Sequence, residues 1–255
     1  MRIVYAFGLA GLLAVSCSTF NKKEEAKIAY ERRIFKKASP GCKTDSTTCA
    51  TYEISYPEFT GLDTAVLRIL NEQLMKQIAG APEDAPTRSI EAAADDFLAD
   101  FDKTKAEMPD YGMGWYYKAD ARELVVTDSL ISLQADADVF TGGAHGMFST
   151  TFINVDAKTG APYLLDSFLK PGYSSLLNQL GEEAFRKENE MADTTTLDAA
   201  GFEFPENKFQ LNDNYGFRKE GIVFVFNSYE VAAYAVGPTE IIIPYEKLKG
   251  WFKGK

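Results

Sequence analysis

Hydrophobic and polar residues alternate in two stretches near the amino end of the chain. The alternation is partial over residues 26–37 and clean over residues 50–56, where every second residue from Tyr52 to Tyr56 is apolar. A period of two residues predicts β-strands. Pro57 is expected to end the second strand, because proline has no N–H to donate to a neighbouring strand. The two strands should pair as a hairpin.

Two amphipathic helices are predicted after this hairpin. Apolar residues recur at three- and four-residue steps over residues 62–79 and again over residues 88–108, as in a helix with one buried face. Gly80 is the expected stop signal of the first helix. Acidic side chains cover the opposite face of the second helix, at Glu91, Asp95, Asp96 and Asp102.

The second half of the chain contains short strand patterns in series with fewer helices. The predicted strands cover residues 115–120, 123–127, 130–139, 147–155, 209–211, 221–226 and 240–243. Helices are predicted over residues 173–190 and 245–252. This order indicates an α+β fold, with antiparallel sheets and helices packed on one face.

The turn-rich segment Pro109 to Gly114 is the predicted boundary between two closely associated subdomains. An N-terminal α+β subdomain would then cover residues 26–110, and a C-terminal α+β domain would cover residues 111–255.

The first residues have the composition of an export signal. Arg2 precedes an apolar run over residues 3–15, which is shorter than the roughly 20 residues that span a membrane. Cys17 follows small residues, as in the lipobox of bacterial lipoproteins. We therefore expect residues 1–16 to be a lipoprotein signal peptide, Cys17 to be lipidated and residues 17–25 to be a polar tether.

The residue after the expected lipidation site is Ser18 and not aspartate, and in this the chain resembles lipoproteins that are sorted to the outer membrane. The expected location is therefore the cell envelope of a Gram-negative bacterium, on the periplasmic side or at the surface. The alternative is a buried N-terminal helix that ends in a free thiol.

Composition and charge restrict the possible partners. The 255 residues are 45% hydrophobic and 13% aromatic, which is enough for a substantial core, and the formal net charge is -10. A nucleic-acid-binding surface needs a basic stripe, so nucleic acid is not an expected partner. An acidic surface would suit a cationic partner, although solubility alone also accounts for the charge.

Cys42 and Cys49 are the cysteines that remain apart from Cys17, and an exported location favours a disulfide between them. Two free thiols or a metal site are the alternatives, but a chain with one histidine is poorly suited to a zinc site. The acidic face of the second predicted helix could be read as a calcium cluster. Calcium sites are tight loops, so a solvated helix face is preferred. No metal and no cofactor are expected.

Three segments of the second half, taken together, carry a family resemblance. They are residues 142–146 (GGAHG), residues 156–168 (DAKTGAPYLLDSF) and residues 224–237 (FVFNSYEVAAYAVG). Their succession resembles the extracellular C-terminal domain of RsiV-type anti-sigma factors, which also accompanies the catalytic domain of the peptidoglycan deacetylase PdaC. Ala233 departs from the pattern, since proline is common there.

The resemblance covers residues 111–250, and residues 52–57 with the helix after them are similar to the companion domain that precedes it in those proteins. In the RsiV-type proteins this region is a lysozyme receptor. The resemblance implies a lipid-anchored binding module, not an enzyme, that recognises a lysozyme-like protein. The alternatives are a peptidoglycan- or glycan-binding lipoprotein and a hydrolase whose site is not readable. A transmembrane helix and a sigma-binding segment are not recognised, so the signalling role is not expected.

His145 is the single histidine and lies between glycines. Its imidazole could hold a turn by bonding to the backbone, contact a ligand, or act as a general base. Catalysis would need a nucleophile and an orienting acid. Ser149, Ser228 and Asp166 are available, but no spacing joins them to the histidine.

Tyrosines of the last segment are the other candidates for ligand contact. Tyr229, Tyr234 and Tyr245 could pack in the core with bonded hydroxyls or form an aromatic platform. The predicted ligand contacts are His145, Tyr229 and Tyr234. The glycines expected to form turns, where positive φ or close backbone approach is needed, are Gly142, Gly143, Gly146 and Gly237.

Overall fold

The computed structural model describes residues 27–42, 47–80 and 86–253. The expected signal peptide, Cys17 and the tether lie outside these residues. Within the described part of the chain, no helix is long and apolar enough to cross a membrane.

The regular elements are strands and helices in mixed order. The strands are β1 (Ala29–Ala38), β2 (Ala50–Thr60), β3 (Trp115–Val126), β4 (Leu130–Phe140), β5 (Met147–Asp156), β6 (Tyr215–Phe217), β7 (Gly221–Phe226) and β8 (Thr239–Pro244). The α-helices are α1 (Thr64–Ile78), α2 (Ile90–Glu107) and α3 (Tyr173–Glu188). Short 3-10 turns lie at Leu165–Ser167, Pro205–Asn207, Tyr234–Val236 and Tyr245–Leu248.

Strands β1 to β5 form one sheet in the order of the sequence. All neighbours are antiparallel except β2 and β3, which run parallel. Parallel neighbours need a long crossover, and α1 and α2 supply it. The predicted α+β class is confirmed. The sequence patterns predict only antiparallel sheets and miss this parallel pair. The pairing depends on where β3 joins the sheet after the two crossover helices, and local sequence patterns do not specify that position.

The crossover helices pack on one face of the five-stranded sheet and bury a common core. Alternate residues of the strands point to this face, and α1 contributes Leu70, Leu74 and Ile78, each fully buried. Asp63 caps the start of α1 by accepting from the N–H of Ala65, and Ser89 caps α2 in the same way from Ala92.

The second sheet, in the order β6-β7-β8, is antiparallel and packs against α3. Its core is rich in phenylalanine. The Phe185 ring of α3 lies 4.8 to 5.5 Å from the centroids of the four rings around it, those of Phe202, Phe204, Phe209 and Phe226.

The expected boundary at residue 110 lies inside the first unit, since β2 on one side of it pairs with β3 on the other. The buried residues of the two larger hydrophobic clusters divide after β5 instead, between Ala157 and Leu169. Pairing of distant strands decides this division, and local composition does not reveal such pairing.

Several predicted element ends differ from the structure. Strand β2 continues through Pro57 to Thr60, because past Ser55 it pairs with β1 alone and a missing N–H is tolerated there. Residues 115–126 form one strand with an irregularity near Glu123, not two strands. Two of the predictions are wrong: residues 209–211 form no strand, and residues 245–252 contain a 3-10 turn in place of a helix.

The β1–β2 hairpin is closed by the predicted disulfide between Cys42 and Cys49, seven positions apart. Beside it, Lys36 pairs with Glu53 at 2.7 Å across the two strands.

We expect the Cys42→Ser/Cys49→Ser variant to lose about 2–3 kcal/mol of unfolding free energy, because a short closed loop removes that much entropy from the unfolded chain. Denaturant unfolding of the variant and of the oxidised and reduced protein checks this. A wild-type midpoint that does not move on reduction would contradict it.

Two buried tyrosines complete the carboxyl end of α1. The hydroxyl of Tyr52 donates to the carbonyl of Ala79 at 3.1 Å, and that of Tyr117 donates to Ile78 at 3.0 Å. The rings stack with centroids 4.8 Å apart. Burial raises the pKa of Tyr117 to about 12 from 10.0.

Since the folded-state pKa of Tyr117 is raised, its contribution to stability is complete below about pH 10 and lost as the pH rises through about 12. The Tyr117→Phe variant should be about 1–2 kcal/mol less stable at pH 8, because it leaves a buried carbonyl unpaired. The difference in unfolding free energy between the variant and the wild type should become smaller as the pH rises from 10 to 12, as measured by denaturant unfolding. A constant gap would show that Tyr117 titrates normally.

Candidate ligand-binding site

The face of the five-stranded sheet opposite α1 and α2 is only partly covered. The second sheet packs over its upper part, where the hydroxyl of Ser132 accepts from the N–H of Phe217 at 2.9 Å and Asn154 donates to the carbonyl of Tyr215 at 2.7 Å. The remaining part is an open groove of about 320 Å³. Its lining includes Glu53, Lys118, Asp120, Asp136, Asp138 and Phe148.

Strand β5 is an edge of the sheet, and the side chain of Asn227 pairs with its free backbone. The amide oxygen of Asn227 accepts from the N–H of Thr150 at 2.8 Å, and its amide nitrogen donates to the Thr150 carbonyl at 3.0 Å. Asn214 donates to the same carbonyl at 2.8 Å. Asn227 thus occupies the place of a further strand and ties the loop after β7 to the first unit.

The turn after Asn227 presents an exposed tyrosine in an unusual conformation. Glu230 accepts from the backbone N–H of Asn227 at 2.8 Å and from the Asn212 side chain at 2.6 Å, which closes the turn. Tyr229 inside it has a φ of 69° and is 57% exposed. Bulky residues rarely adopt positive φ, and strain of this kind is concentrated at functional sites.

His145, Tyr229 and Tyr234 lie together, and we call them the aromatic platform. The rings of His145 and Tyr234 stack with centroids 3.7 Å apart and planes 16° apart. The Tyr229 ring lies 5.5 Å from that of Tyr234, at 34°. Three of the residues that the sequence singled out are therefore brought together. Their contact with a ligand stays a prediction.

Gly146 is the point at which the platform meets the sheet. Its carbonyl accepts from the Tyr234 hydroxyl at 2.8 Å and from Nδ1 of His145 at 2.8 Å, so that nitrogen carries a proton. A Cβ atom on Gly146 would lie 2.9 Å from the hydroxyl oxygen of Tyr116 and 3.0 Å from the carbonyl of Val139. A side chain at this position would require Tyr116 or the backbone at Val139 to shift, which favours glycine.

The other predicted turn glycines have positive φ: Gly142 at 99°, Gly143 at 95° and Gly237 at 80°. Of these, Gly142 also lies against the hydroxyl of Tyr111. Its neighbour Gly143 and the distant Gly237 have open space where a Cβ would be.

Tyr116 and Asp138 adjoin the platform. Burial raises the pKa of Tyr116, and the charge and hydrogen bond of Asp138, together with the proximity of Tyr234, raise it further. The ammonium of Lys118 lies over the Tyr116 ring, 5.4 Å from its centroid. The platform therefore ends in a carboxylate and a third tyrosine.

Ion pairs neutralise most of the carboxylates that line the groove. Lys36 pairs with Glu53, and Arg32 pairs with Asp120. Among the described residues, no lysine or arginine forms an ion pair with Asp138. Asp138 therefore stands apart from the other carboxylates of the groove.

Asp136 is bonded on all sides. Its carboxylate pairs with Arg122 and accepts from Thr150 at 2.7 Å and from Gln134 at 2.9 Å. Thr150 is also the residue that Asn227 holds, so this network joins the floor of the groove to the turn that carries Tyr229.

The possible catalytic partners of His145 do not lie on its ring. Within the described residues, Ser149, Ser228 and Asp166 make no hydrogen bond to the imidazole. Nor do residues 27–42, 47–80 and 86–253 contain a group of three His, Cys, Asp or Glu side chains that could hold a metal ion.

Tyr245, the third candidate tyrosine, is not part of the platform. It packs in the second unit, with its ring 6.2 Å from that of Phe252, and burial raises its pKa to about 12. A larger depression, of about 470 Å³, lies where α1 meets β5 and the second unit. None of the predicted ligand contacts lines it.

Sequence reasoning missed Asn227 and Asp138 as parts of the site. A signal for Asp138 exists, since Gln134, Asp136 and Asp138 alternate with alanines along β4. Polar residues at a period of two mark the face of a strand that no helix covers. The role of Asn227 has no such local signal.

Comparison with known families divides the chain in a similar way. Residues 43–148 match the family described as deacetylase PdaC, and residues 166–246 match a family of proteins of unknown function, DUF3298. The first match ends near β5, and the second covers most of the phenylalanine-rich unit. No curated protein matches the chain at a significant level.

Solved structures show the same fold. A DUF3298 family member from Bacteroides fragilis has a TM-score of 0.69 and 21% identity, over 90% of this chain and 95% of that one. A DUF3298 family protein from Pseudomonas aeruginosa has a TM-score of 0.62 and 22% identity, over 90% of this chain and 96% of that one. The chain thus contains a segment that matches the PdaC family, followed by a segment that matches the DUF3298 family of proteins of unknown function, and it shares its fold with solved DUF3298 proteins.

Proposed function

We propose that the protein is a binding module of the cell envelope, which holds its ligand on the aromatic platform of His145, Tyr229 and Tyr234. The observation that carries the proposal is Tyr229. It is exposed, at positive φ, and set against Tyr234 by a closed hydrogen-bonded turn.

Tyr229 holds a conformation that costs free energy in the unbound protein. An exposed tyrosine gains little from burial, and a positive φ costs about 1–3 kcal/mol for such a residue. A ligand that covers the ring would offset this cost, and tyrosine is among the residues that contribute most to interfaces. The stacked His145 and the hydroxyl bond of Tyr234 to Gly146 keep the platform in one conformation.

The leading ligand in this proposal is a lysozyme-like protein. Such proteins are cationic, and this chain has a formal net charge of -10, which would speed their encounter. The resemblance to the RsiV-type receptor domain favours the same class.

A cell-wall glycan is the second candidate, and the paired charges of the groove favour it. With Glu53 and Asp120 neutralised by neighbouring basic residues, the open face offers mainly aromatic rings and polar groups. A neutral sugar could stack on Tyr229 and bond to the groove.

We further propose that Cys17 carries a lipid anchor, which holds the binding module at the membrane surface. An anchored module of this kind would capture, inhibit or present a ligand at the membrane surface.

The Tyr229→Ala and Tyr234→Ala variants should each weaken ligand binding ten- to hundredfold, because central tyrosines contribute about that much to interfaces. Calorimetry with egg-white lysozyme and with soluble peptidoglycan fragments measures this. Tyr30→Ala, at another exposed tyrosine, is the control and should bind normally. Lysozyme binding should weaken as salt rises, whereas glycan binding should not.

Tyr229→Gly separates binding from packing. Glycine adopts positive φ without strain, so this variant should keep its free energy of unfolding while it loses binding. A loss of more than about 1 kcal/mol would mean that Tyr229 is there for packing and would remove the main support of the proposal.

Cys17→Ala should abolish membrane fractionation and labelling by a palmitate analogue, since the variant has no thiol at that position to acylate. Unchanged fractionation of the variant, together with no labelling of the wild type, would rule out the anchor.

A further inference from the structure

We infer that the aromatic platform, together with Asp138 and Tyr116, receives a guanidinium group, as an arginine side chain of a basic protein would supply. This deepens the proposed function and rests on it. It names the chemical group that the site binds. A basic protein carries guanidinium groups and a neutral sugar does not, so the inference separates the two candidate ligands.

The first support is the charge of Asp138. Its carboxylate lies at the end of the groove next to the platform, and within the described residues it has no ion-pair partner. Glu53, Asp120 and Asp136 each pair with a cation of the chain. A cation that arrives at the groove therefore finds one carboxylate that is not already neutralised.

The second support is that a tyrosine of this site already accepts a cation. Lys118 is the cross-strand neighbour of Asp138, yet its ammonium lies 5.4 Å from the centroid of the Tyr116 ring. Tyrosine faces attract cations through the negative potential above the ring. With Tyr116 occupied by Lys118, the exposed ring of Tyr229 is available to a cation from outside.

The third support is geometric convergence at Gly146. A Cβ atom placed there would lie 2.9 Å from the Tyr116 hydroxyl and 3.5 Å from Oδ1 of Asp138. The carbonyl of the same residue accepts the Tyr234 hydroxyl at 2.8 Å. The hydroxyls of Tyr116 and Tyr234 and the carboxylate of Asp138 therefore converge on one residue, and the Tyr229 ring lies 5.5 Å from that of Tyr234.

Arginine fits this combination better than lysine. A guanidinium is planar, stacks on aromatic faces and donates two parallel hydrogen bonds to a carboxylate, whereas an ammonium is a compact, strongly hydrated charge. The methylenes of an arginine can also lie along the tyrosine rings.

The single histidine provides a direct readout. Because the chain has one histidine and it stacks on Tyr234, the imidazole proton signals in an NMR spectrum report on the platform alone. N-acetyl-arginine amide would be titrated into the mature protein, with N-acetyl-lysine amide and N-acetyl-citrulline amide as matched probes. Citrulline has the shape of arginine without its charge.

We expect the arginine probe to shift the His145 signals, the lysine probe to shift them less and the citrulline probe to leave them unchanged. Asp138→Asn should weaken the arginine response at least about tenfold, because it removes a charge-assisted bond. Asp138→Glu should restore part of it. Asp128→Asn, which removes the same charge before the opposite end of β4, should respond as the wild type does.

Equal shifts with citrulline and arginine, or an unchanged response of Asp138→Asn, would overturn the inference. If lysozyme or glycan binding still depended on Tyr229 in that case, the proposed function would stand without it. Conversely, an arginine response that needs Asp138, with lysozyme and glycan binding unaffected by Tyr229→Ala, would support the guanidinium site and reject the proposed function.

Discussion

The pairing of the Asn227 side chain with Thr150 is the interaction on which the arrangement of this molecule depends. It satisfies the N–H and the carbonyl of a buried residue on the edge of the sheet, where an unpaired backbone group would cost stability. It also fixes the start of the turn that holds Tyr229. One amide therefore closes an edge, joins two units and positions an exposed ring of the aromatic platform.

The open face of the first sheet combines two kinds of chemistry in one place. Most of its carboxylates are paired with basic residues from β1 and β3, so its charge is largely balanced. The aromatic platform and Asp138 lie at the end where this balance stops. A surface of this composition suits a ligand that stacks on aromatic rings and makes one charged contact. The acidic net charge of the whole chain does not describe this site, because most carboxylates of the groove are paired.

The sequence predicted individual strands and helices better than it predicted how they pair and pack. The alternation around Tyr52 and Ile54, and the helical spacing of Leu70 and Leu74, identify elements whose burial is set by local periodicity. The parallel pairing of β2 with β3 could not be read in the same way, because strand partners are chosen by tertiary packing over the crossover. The missed strand at β6 is three residues long, which is too short for periodicity to indicate.

The sequence by itself determined the α+β class, the Cys42–Cys49 disulfide and the residue types of the platform, since each depends on local patterns or on chemistry that needs no partner. Only the tertiary structure decided that His145, from the turn before β5, stacks on Tyr234, 3.7 Å away and far along the chain. It alone showed that, among the carboxylates named in the groove and within the described residues, Asp138 is the one without an ion pair. Such choices depend on which side chains the packing of distant segments brings together, and that packing is a property of the whole folded molecule.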